Sequence, residues 1–138
     1  MVAPGAVEHT LDTAGEIDMT KPAPITAGSV FDLAAVAREL RTDDAYQRDG
    51  HTARTLVREP AVRVVLVAMK ASARIAEHRA QEITTVHALT GSLRLTMADR
   101  TVELTPGRVL VVPPDLRHDV AALTDSALLL TLAWCDRR

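Results

Sequence analysis

The latter part of the chain consists of short aliphatic segments separated by turn-forming residues, and this pattern constrains the fold most. The segments are rich in Val, Leu, Ile and Ala, whereas Gly, Pro and Asp recur in breaks such as "EP", "TG", "PG" and "PPD". Because no helical pattern separates the segments, they predict an antiparallel sandwich or barrel rather than a parallel sheet. The predicted strands are Thr52–Arg58, Val62–Met69, Ile83–Leu89, Leu93–Met97, Val102–Leu104, Val109–Val112, Val120–Leu123 and Ala127–Trp134.

One short helix is predicted ahead of the strands, in the stretch "SVFDLAAVARELR". Ser29 followed by Asp32 resembles a capping box at its start. The segment "TDDAYQRDG" is expected to end the helix and to lead into the first strand. The apolar residues of the helix share one face, which predicts an ordinary packing surface, and they are Leu33, Val36, Ala37 and Leu40.

The length of 138 residues fits one domain that can bury a core without disulfides. Residues 1–28 mix Pro and Gly with acidic residues, and we expect a flexible segment in which His9 is exposed. Residues 29–49 are expected to hold the helix and its connector. Residues 50–138 are expected to form the body of strands.

Composition argues against several classes of partner. The formal charge of -2 offers no basic surplus for phosphates, and the aromatic residues Phe31, Tyr46 and Trp134 are too scattered for a base-stacking platform, so no nucleic acid partner is expected. A single cysteine, Cys135, excludes an internal disulfide framework and a cysteine zinc cage. Residues 1–21 lack the pattern of a signal peptide, and no apolar run is long enough to span a membrane. These features predict a cytoplasmic protein without a membrane partner.

The stretch from Ser72 to Gly91 carries a first recognisable motif. It resembles the first motif of the cupin family, which runs Gly, five residues, His-x-His, three or four residues, Glu, six residues and Gly. His78 and Gly91 match that motif. The other positions differ, because Ser72 stands at the first glycine, Ala80 at the second histidine and Thr84 at the glutamate.

A second stretch, "PGRVLVVPPDLRHDVAA", is similar to the second cupin motif. That motif runs Gly, five residues, Pro-x-Gly, two residues, His, three residues and Asn. Gly107, Pro113 and His118 match it, whereas Asp115 replaces a glycine and Ala122 the asparagine. The resemblance implies an all-β fold, the cupin jelly-roll barrel of antiparallel strands, here with one short N-terminal helix. It does not imply one activity, since function depends on the site rather than the fold.

The departures from the motifs bear on a metal site. In cupins with the full motif, three histidines and a glutamate hold a divalent metal such as iron, manganese, nickel or zinc. Here His78 and His118 remain, while Ala80 has no ligand atom and the hydroxyl of Thr84 is a poor substitute for a carboxylate. The resemblance therefore implies a reduced site, with weak or conditional binding of a divalent metal.

His87 is the candidate for a third ligand. Side chains alternate along a strand, so His87 faces away from the interior if Thr84 faces into it. A bulge near "AQE" would reverse this alternation and turn His87 inward to join His78 and His118. The two registers are open alternatives at the level of sequence.

The first functional hypothesis is a single-domain cupin that binds a small molecule in an apolar interior. Its pocket residues are expected to be Thr84, Val86, Ala88 and Val120. The alternatives are a metal-dependent oxygenase or isomerase that uses the three histidines, and a non-catalytic module that senses a ligand or joins partners. The resemblance also implies a homodimer.

The remaining histidine, acidic and methionine candidates have ordinary structural interpretations. His51 is expected at the surface and Glu77 is expected to be a solvated charge at the rim, with the alternative of a general base if it turns inward. Met69 and Met97 are expected to fill the core.

Overall fold

The structure is a computed structural model that describes residues 28–78 and 81–133; for residues 76–78 it describes the backbone. The predicted N-terminal segment, including His9, lies outside the described residues apart from Gly28, as do Ala80 and Trp134. The elements are, in chain order, α1 (Leu33–Leu40), α2 (Asp44–Asp49), β1 (His51–Glu59), β2 (Val62–Met69), β3 (Arg74–His78), β4 (Thr84–Thr90), β5 (Leu93–Met97), β6 (Arg100–Leu104), β7 (Val109–Val112), β8 (His118–Ala122) and β9 (Ser126–Ala133).

The strands form two sheets in which neighbouring strands are antiparallel. The five-stranded sheet has the order β1-β2-β9-β4-β7, and the four-stranded sheet has the order β3-β8-β5-β6. Strands distant in the chain are neighbours, since β9 lies between β2 and β4 and β8 between β3 and β5. The predicted antiparallel all-β class is therefore confirmed.

One apolar core lies between the two sheets. It joins Val65 and Val86 of the five-stranded sheet to Leu95 and Val120 of the four-stranded sheet. Met69 and Met97 are both buried, as predicted. Because alternate residues of each strand point to this core, the residues that belong to it identify the inner face of a strand.

The helices cover the outer face of the five-stranded sheet. Val36 and Leu40 of α1 and Tyr46 of α2 pack in a second apolar cluster with Leu66 and Ala68 of β2. The predicted apolar face of the helix is thereby confirmed.

The start of α1 differs from the sequence prediction. Asp32, not Ser29, is the N-cap, and its carboxylate accepts a hydrogen bond of 3.1 Å from the backbone N–H of Ala35. An N-cap carboxylate that satisfies a free N–H of the first turn fixes where a helix begins.

Two elements were missed by the sequence analysis. The segment predicted as a break contains α2, which buries Tyr46 and ends at Gly50 with φ of 82°. Strand β3 was also missed, because Ile75 is the one described aliphatic side chain that it packs against the core. No helix within residues 28–78 and 81–133 is long and apolar enough to cross a membrane.

Candidate functional site

His118 is a buried histidine on the inner face of the four-stranded sheet. It is 3% exposed and begins β8, where it alternates with the core residues Val120 and Ala122. Its Nδ1 lies 3.1 Å from the backbone carbonyl oxygen of Leu116. A carbonyl oxygen only accepts, so Nδ1 is the donor in this contact.

A bulge in β3 determines which residue lies opposite His118. Ile75 pairs with Val120 and His78 pairs with His118, so three steps along β3 match two steps along β8. Without the inserted residue, Glu77 would lie opposite His118. One inserted residue reverses the faces of a strand, so the bulge changes which residue lies there. Because of the bulge, His78 occupies the backbone position opposite His118.

Strand β4 keeps the register that places Thr84 on the inner face. Thr84, Val86 and Ala88 are buried, and their pairing with β9 shows no shift from Thr84 to Ala88. His87 is opposite Leu129, which packs against the outer cluster.

His87 consequently lies on the outer face of the five-stranded sheet, and the inward register considered for it is not adopted. The extra residue expected near "AQE" is found earlier, within β3. Because β4 itself has no bulge between Thr84 and Ala88, the strand alternation keeps His87 away from His118. The structure does not bring the three predicted histidine ligands to one place.

Two buried arginines were missed by the sequence analysis. Arg58 and Arg63 are 6% and 7% exposed and lie opposite each other on β1 and β2. Arg63 shares the inner face with Val65, which alternation in the sequence could have shown. Arg58 lies on the inner face only because β1 has a register shift between Thr55 and Val57.

These arginines belong to a row of paired residues that crosses the five-stranded sheet on its inner face. Arg63 is opposite Leu132, Leu132 is opposite Thr84, and Thr84 is opposite Val112. We call this set, Arg58, Arg63, Leu132, Thr84 and Val112, the arginine row. Thr84, which occupies the position of the missing glutamate, is therefore in the same row as two guanidinium groups.

A second row crosses the four-stranded sheet at the same end of the molecule. His78 is opposite His118, His118 is opposite Met97, and Met97 is opposite Arg100. We call this set the histidine row. Residues 79–83 connect the two rows at His78 and Thr84, which puts both rows at one end of the two-sheet body.

The ionisable members of the two rows are basic. Arg58, Arg63 and Arg100 are cationic at neutral pH, and His78 and His118 are the other ionisable members; no member is acidic. Arg58 donates a long hydrogen bond of 3.5 Å to Thr55 Oγ1, and Arg63 donates to the backbone carbonyls of Glu59 and Val62.

The described side chains at this end do not fit a divalent metal. Among the residues that the structure describes, no group of three or more His, Cys, Asp or Glu side chains is placed to hold a cation. Thr84, at the position of the family's glutamate, offers a neutral hydroxyl instead of a carboxylate.

The backbone of the two motifs is kept even where their glycines are not. Ser72 and Asp115, which stand at two glycine positions, are the non-glycine residues with positive φ in the described chain, at 74° and 63°. Gly91 and Gly107 also have positive φ, at 73° and 89°. The turns of the motifs therefore have the left-handed conformation that glycine favours.

The predicted pocket residues lie together on the inner faces. Val86, Ala88 and Val120 belong to the core between the sheets, and Thr84 is buried at its end. Their contact with a ligand stays a prediction. His51, expected at the surface, is instead half-buried at the other end of β1, and its Nδ1 is shielded from solvent without a hydrogen-bond partner in the described part of the chain.

The two-sheet architecture and the motif turns define the class of protein, and a family model confirms it. The model of the cupin domain matches residues 64–134, which is just over half of the chain. The chain belongs to the cupin family. No curated protein matches it significantly.

Solved structures with the same fold cover most of the chain at low sequence identity. A conserved protein of unknown function from Streptococcus pyogenes is similar over 82% of this chain and 93% of its own, with a TM-score of 0.66 and 21% identity. KdgF from Halomonas sp. is similar over 64% of this chain and 82% of its own, with a TM-score of 0.57 and 21% identity.

An enzyme is also among the similar structures. Salicylate 1,2-dioxygenase from Pseudoaminobacter salicylatoxidans is similar over 75% of this chain but only 32% of its own, with a TM-score of 0.67 and 19% identity. At this level of identity the likeness concerns the fold, and the activity of this chain must be argued from its own site.

Proposed function

We propose that this cupin domain binds a small molecule between its two sheets, at the end where the arginine and histidine rows meet. The observation that carries the proposal is His118, a buried imidazole on the inner face whose Nδ1 contacts a backbone carbonyl. That contact orients the ring on the inner face, next to the apolar core residues Val120 and Ala122. Thr84 adds a buried hydroxyl on the opposite sheet.

In this proposal the sheets close into the jelly-roll barrel of the family, and the apolar core residues Val86, Ala88 and Val120 form the floor of the ligand site. Ligand sites are typically apolar with a few well-placed polar groups. Two further expectations stay predictions, namely a homodimer and a cytoplasmic location.

The test compares two histidines, His118 on the inner face of the four-stranded sheet and His87 on the outer face of the five-stranded sheet. A library of small neutral and charged molecules is screened by the thermal shift of the full-length protein. We expect hits that stabilise the wild type and the variant His87→Ala but lose most of their effect in His118→Ala. Hits that His118→Ala leaves unchanged, or an absence of hits, would contradict the proposal.

Metal content distinguishes the alternative of a metal-dependent enzyme. After purification without chelator and equilibrium dialysis against zinc, manganese, nickel or ferrous ions, we expect less than one metal ion per chain. The double variant Ala80→His, Thr84→Glu restores the family's ligands and should gain metal. Stoichiometric metal in the wild type that disappears in His118→Ala would favour the enzyme instead.

A further inference from the structure

Strand β7 is an apolar edge of the five-stranded sheet. It is the last strand in the order of that sheet, and among the described strands it pairs with β4 alone. Its residues are Val, Leu, Val and Val, and none is charged. Val109 and Val111 are each 53% exposed, and Ile83, just before β4, is 45% exposed. Three of the four large hydrophobic residues exposed in the described chain therefore lie at this edge.

The backbone of β7 directs hydrogen-bonding groups toward the same edge. The N–H of Ala88 in β4 donates a 3.0 Å hydrogen bond to the carbonyl of Arg108, just before β7. Hydrogen-bonded positions alternate along an antiparallel pair, so Leu110 is the next residue whose N–H and C=O face β4. The backbone groups of Val109 and Val111 consequently face away from β4.

The other three edge strands of the two sheets carry charged residues. Strand β1 contains Arg54 and Glu59, β3 begins with Arg74, and β6 contains Arg100 and Glu103. Charged side chains on an edge strand oppose its pairing with another chain. Strand β7 has none along its length, so it is the edge best suited to pair with a further strand.

We infer that β7 pairs with β7 of a second copy of this chain, antiparallel and about a two-fold axis at Leu110. Two five-stranded sheets then become one continuous sheet. The inference gives the predicted homodimer a surface and is independent of the ligand site. Val109 exchanges both of its backbone hydrogen bonds with the partner subunit's Val111, and their side chains lie side by side on the outer face. A two-fold contact uses the same surface on both copies, so the assembly closes as a dimer.

The residues at the two ends of β7 favour this register over its neighbours. An axis at Val111 would place Val109 opposite Pro113, which has no N–H to donate. An axis at Val109 would place Val111 opposite Gly107, whose N–H already donates a 2.8 Å hydrogen bond to β4. The axis at Leu110 pairs the outward groups of the strand with each other and needs neither end.

The first experiment measures the mass of the full-length protein in solution by sedimentation equilibrium, from about 1 µM to about 1 mM. A short strand makes a small interface, so we expect a reversible equilibrium between monomer and dimer within this range. Hydrogen exchange is measured on the same samples. The amides of Val109 and Val111 should become protected as the dimer forms.

Two variants of one residue separate strand pairing from other contacts. Val111→Pro removes an N–H that β4 does not use, which an edge strand tolerates, and it should raise the dissociation constant of the dimer by about tenfold or more. Val111→Thr is the matched control, because it keeps the N–H and the branched shape, and it should change that constant by less than about threefold. Circular dichroism checks that each variant is folded.

Three results would overturn the inference. The first is a wild type that stays monomeric at the highest concentration. The second is a dimer that folded Val111→Pro leaves intact, since the copies would then join elsewhere. The third is protection of the Val109 and Val111 amides that does not change with concentration, since another part of the same chain would then cover the edge. None of them affects the ligand screen with His118→Ala, so the proposed function is tested separately.

Discussion

Ser72 and Asp115 hold a left-handed backbone at positions where the cupin motifs have glycine. This conformation costs a residue with a Cβ atom about 1–2 kcal/mol, and Asp tolerates it better than most. The backbone N–H of Ser72 donates a 2.8 Å hydrogen bond to the carbonyl of Ala122. This hydrogen bond helps to hold the turn in its shape despite the strain at Ser72. The geometry of the motif thus survives the loss of its glycine.

Gly91 is the glycine for which the structure gives the strictest requirement. A Cβ atom added there would lie 2.2 Å from the carbonyl oxygen of Asp125 and 2.4 Å from Ser126 Oγ. We expect Gly91→Ala to reduce the free energy of unfolding by about 3 kcal/mol or more, because the clash adds to the strain of positive φ. Urea denaturation measures the change.

The control for Gly91 is Gly107, which also has positive φ but has no atom within 4 Å of an added Cβ. Gly107→Ala should cost only the conformational strain, about 1–2 kcal/mol. Similar losses in the two variants would mean that the close approach at Gly91 relaxes.

Tyr46 provides a prediction about pH. Burial raises the pKa of the Tyr46 phenol above its usual value of 10.0, and the nearby Asp125 carboxylate raises the pKa further, while Arg41 opposes the shift. At neutral pH the phenol is protonated in both states, so it has no effect on stability there. As the pH rises past 10, the unfolded chain loses this proton first, and the free energy of unfolding falls.

The comparison for this prediction is Tyr46→Phe. Its free energy of unfolding should fall less steeply than that of the wild type from about pH 10 to 11, as measured by denaturant titration. Tyr46 is the single tyrosine of the chain, so the absorbance of tyrosinate reports its ionisation directly. Parallel pH curves for the two proteins would show that the phenol is not responsible.

At the scale of elements, α1 is held to the five-stranded sheet by one apolar face and one ion pair. Val36, Ala37 and Leu40 are buried against the sheet. Arg54 of β1, largely buried, donates a 2.7 Å hydrogen bond to the exposed carboxylate of Glu39. Because the partner is exposed, the apolar face rather than the ion pair should supply most of the docking energy.

Leu40→Ala tests the docking of α1. Leu40 is 1% exposed, so its truncation leaves a cavity under the helix, and we expect a loss of about 2–4 kcal/mol in the free energy of unfolding. Val30, 79% exposed just before the helix, is the control, and Val30→Ala should change stability by less than about 0.5 kcal/mol. A loss below about 1 kcal/mol for Leu40→Ala would indicate that the helix contributes little to the stability of the sheet.

The strands themselves were largely predictable from sequence. Val62–Met69, Leu93–Met97 and Val109–Val112 have the predicted bounds. Alternating aliphatic residues and sharp turns are local signals, and each of these strands carries them. The predicted start of β8 at Val120 was wrong, because His118 and Asp119 extend the pairing with β5 although neither is aliphatic.

At the scale of the whole molecule, the candidate site was only partly predictable. His118, Thr84, Val86 and Val120 were identified from the motifs and strand alternation, and the structure places them on the inner faces. Arg58 was not identified, since plain alternation from the core residue Ala53 assigns it to the outer face. The sequence did not decide whether His87 faces inward or outward, because the two possible registers of its strand differ by one residue.

The sequence by itself determined the antiparallel strand-rich class, the apolar face of α1 and the family, because each depends on local periodicity or on motif spacing. The tertiary structure alone decided the registers. The bulge in β1 turns Arg58 inward, and the bulge in β3 places His78 opposite His118. The pairing of β4 with β9, which has no shift from Thr84 to Ala88, leaves His87 outside. The physical reason is that side chains alternate with a period of two, so one inserted residue reverses a strand's faces. Whether it is inserted depends on pairing with strands distant in the chain.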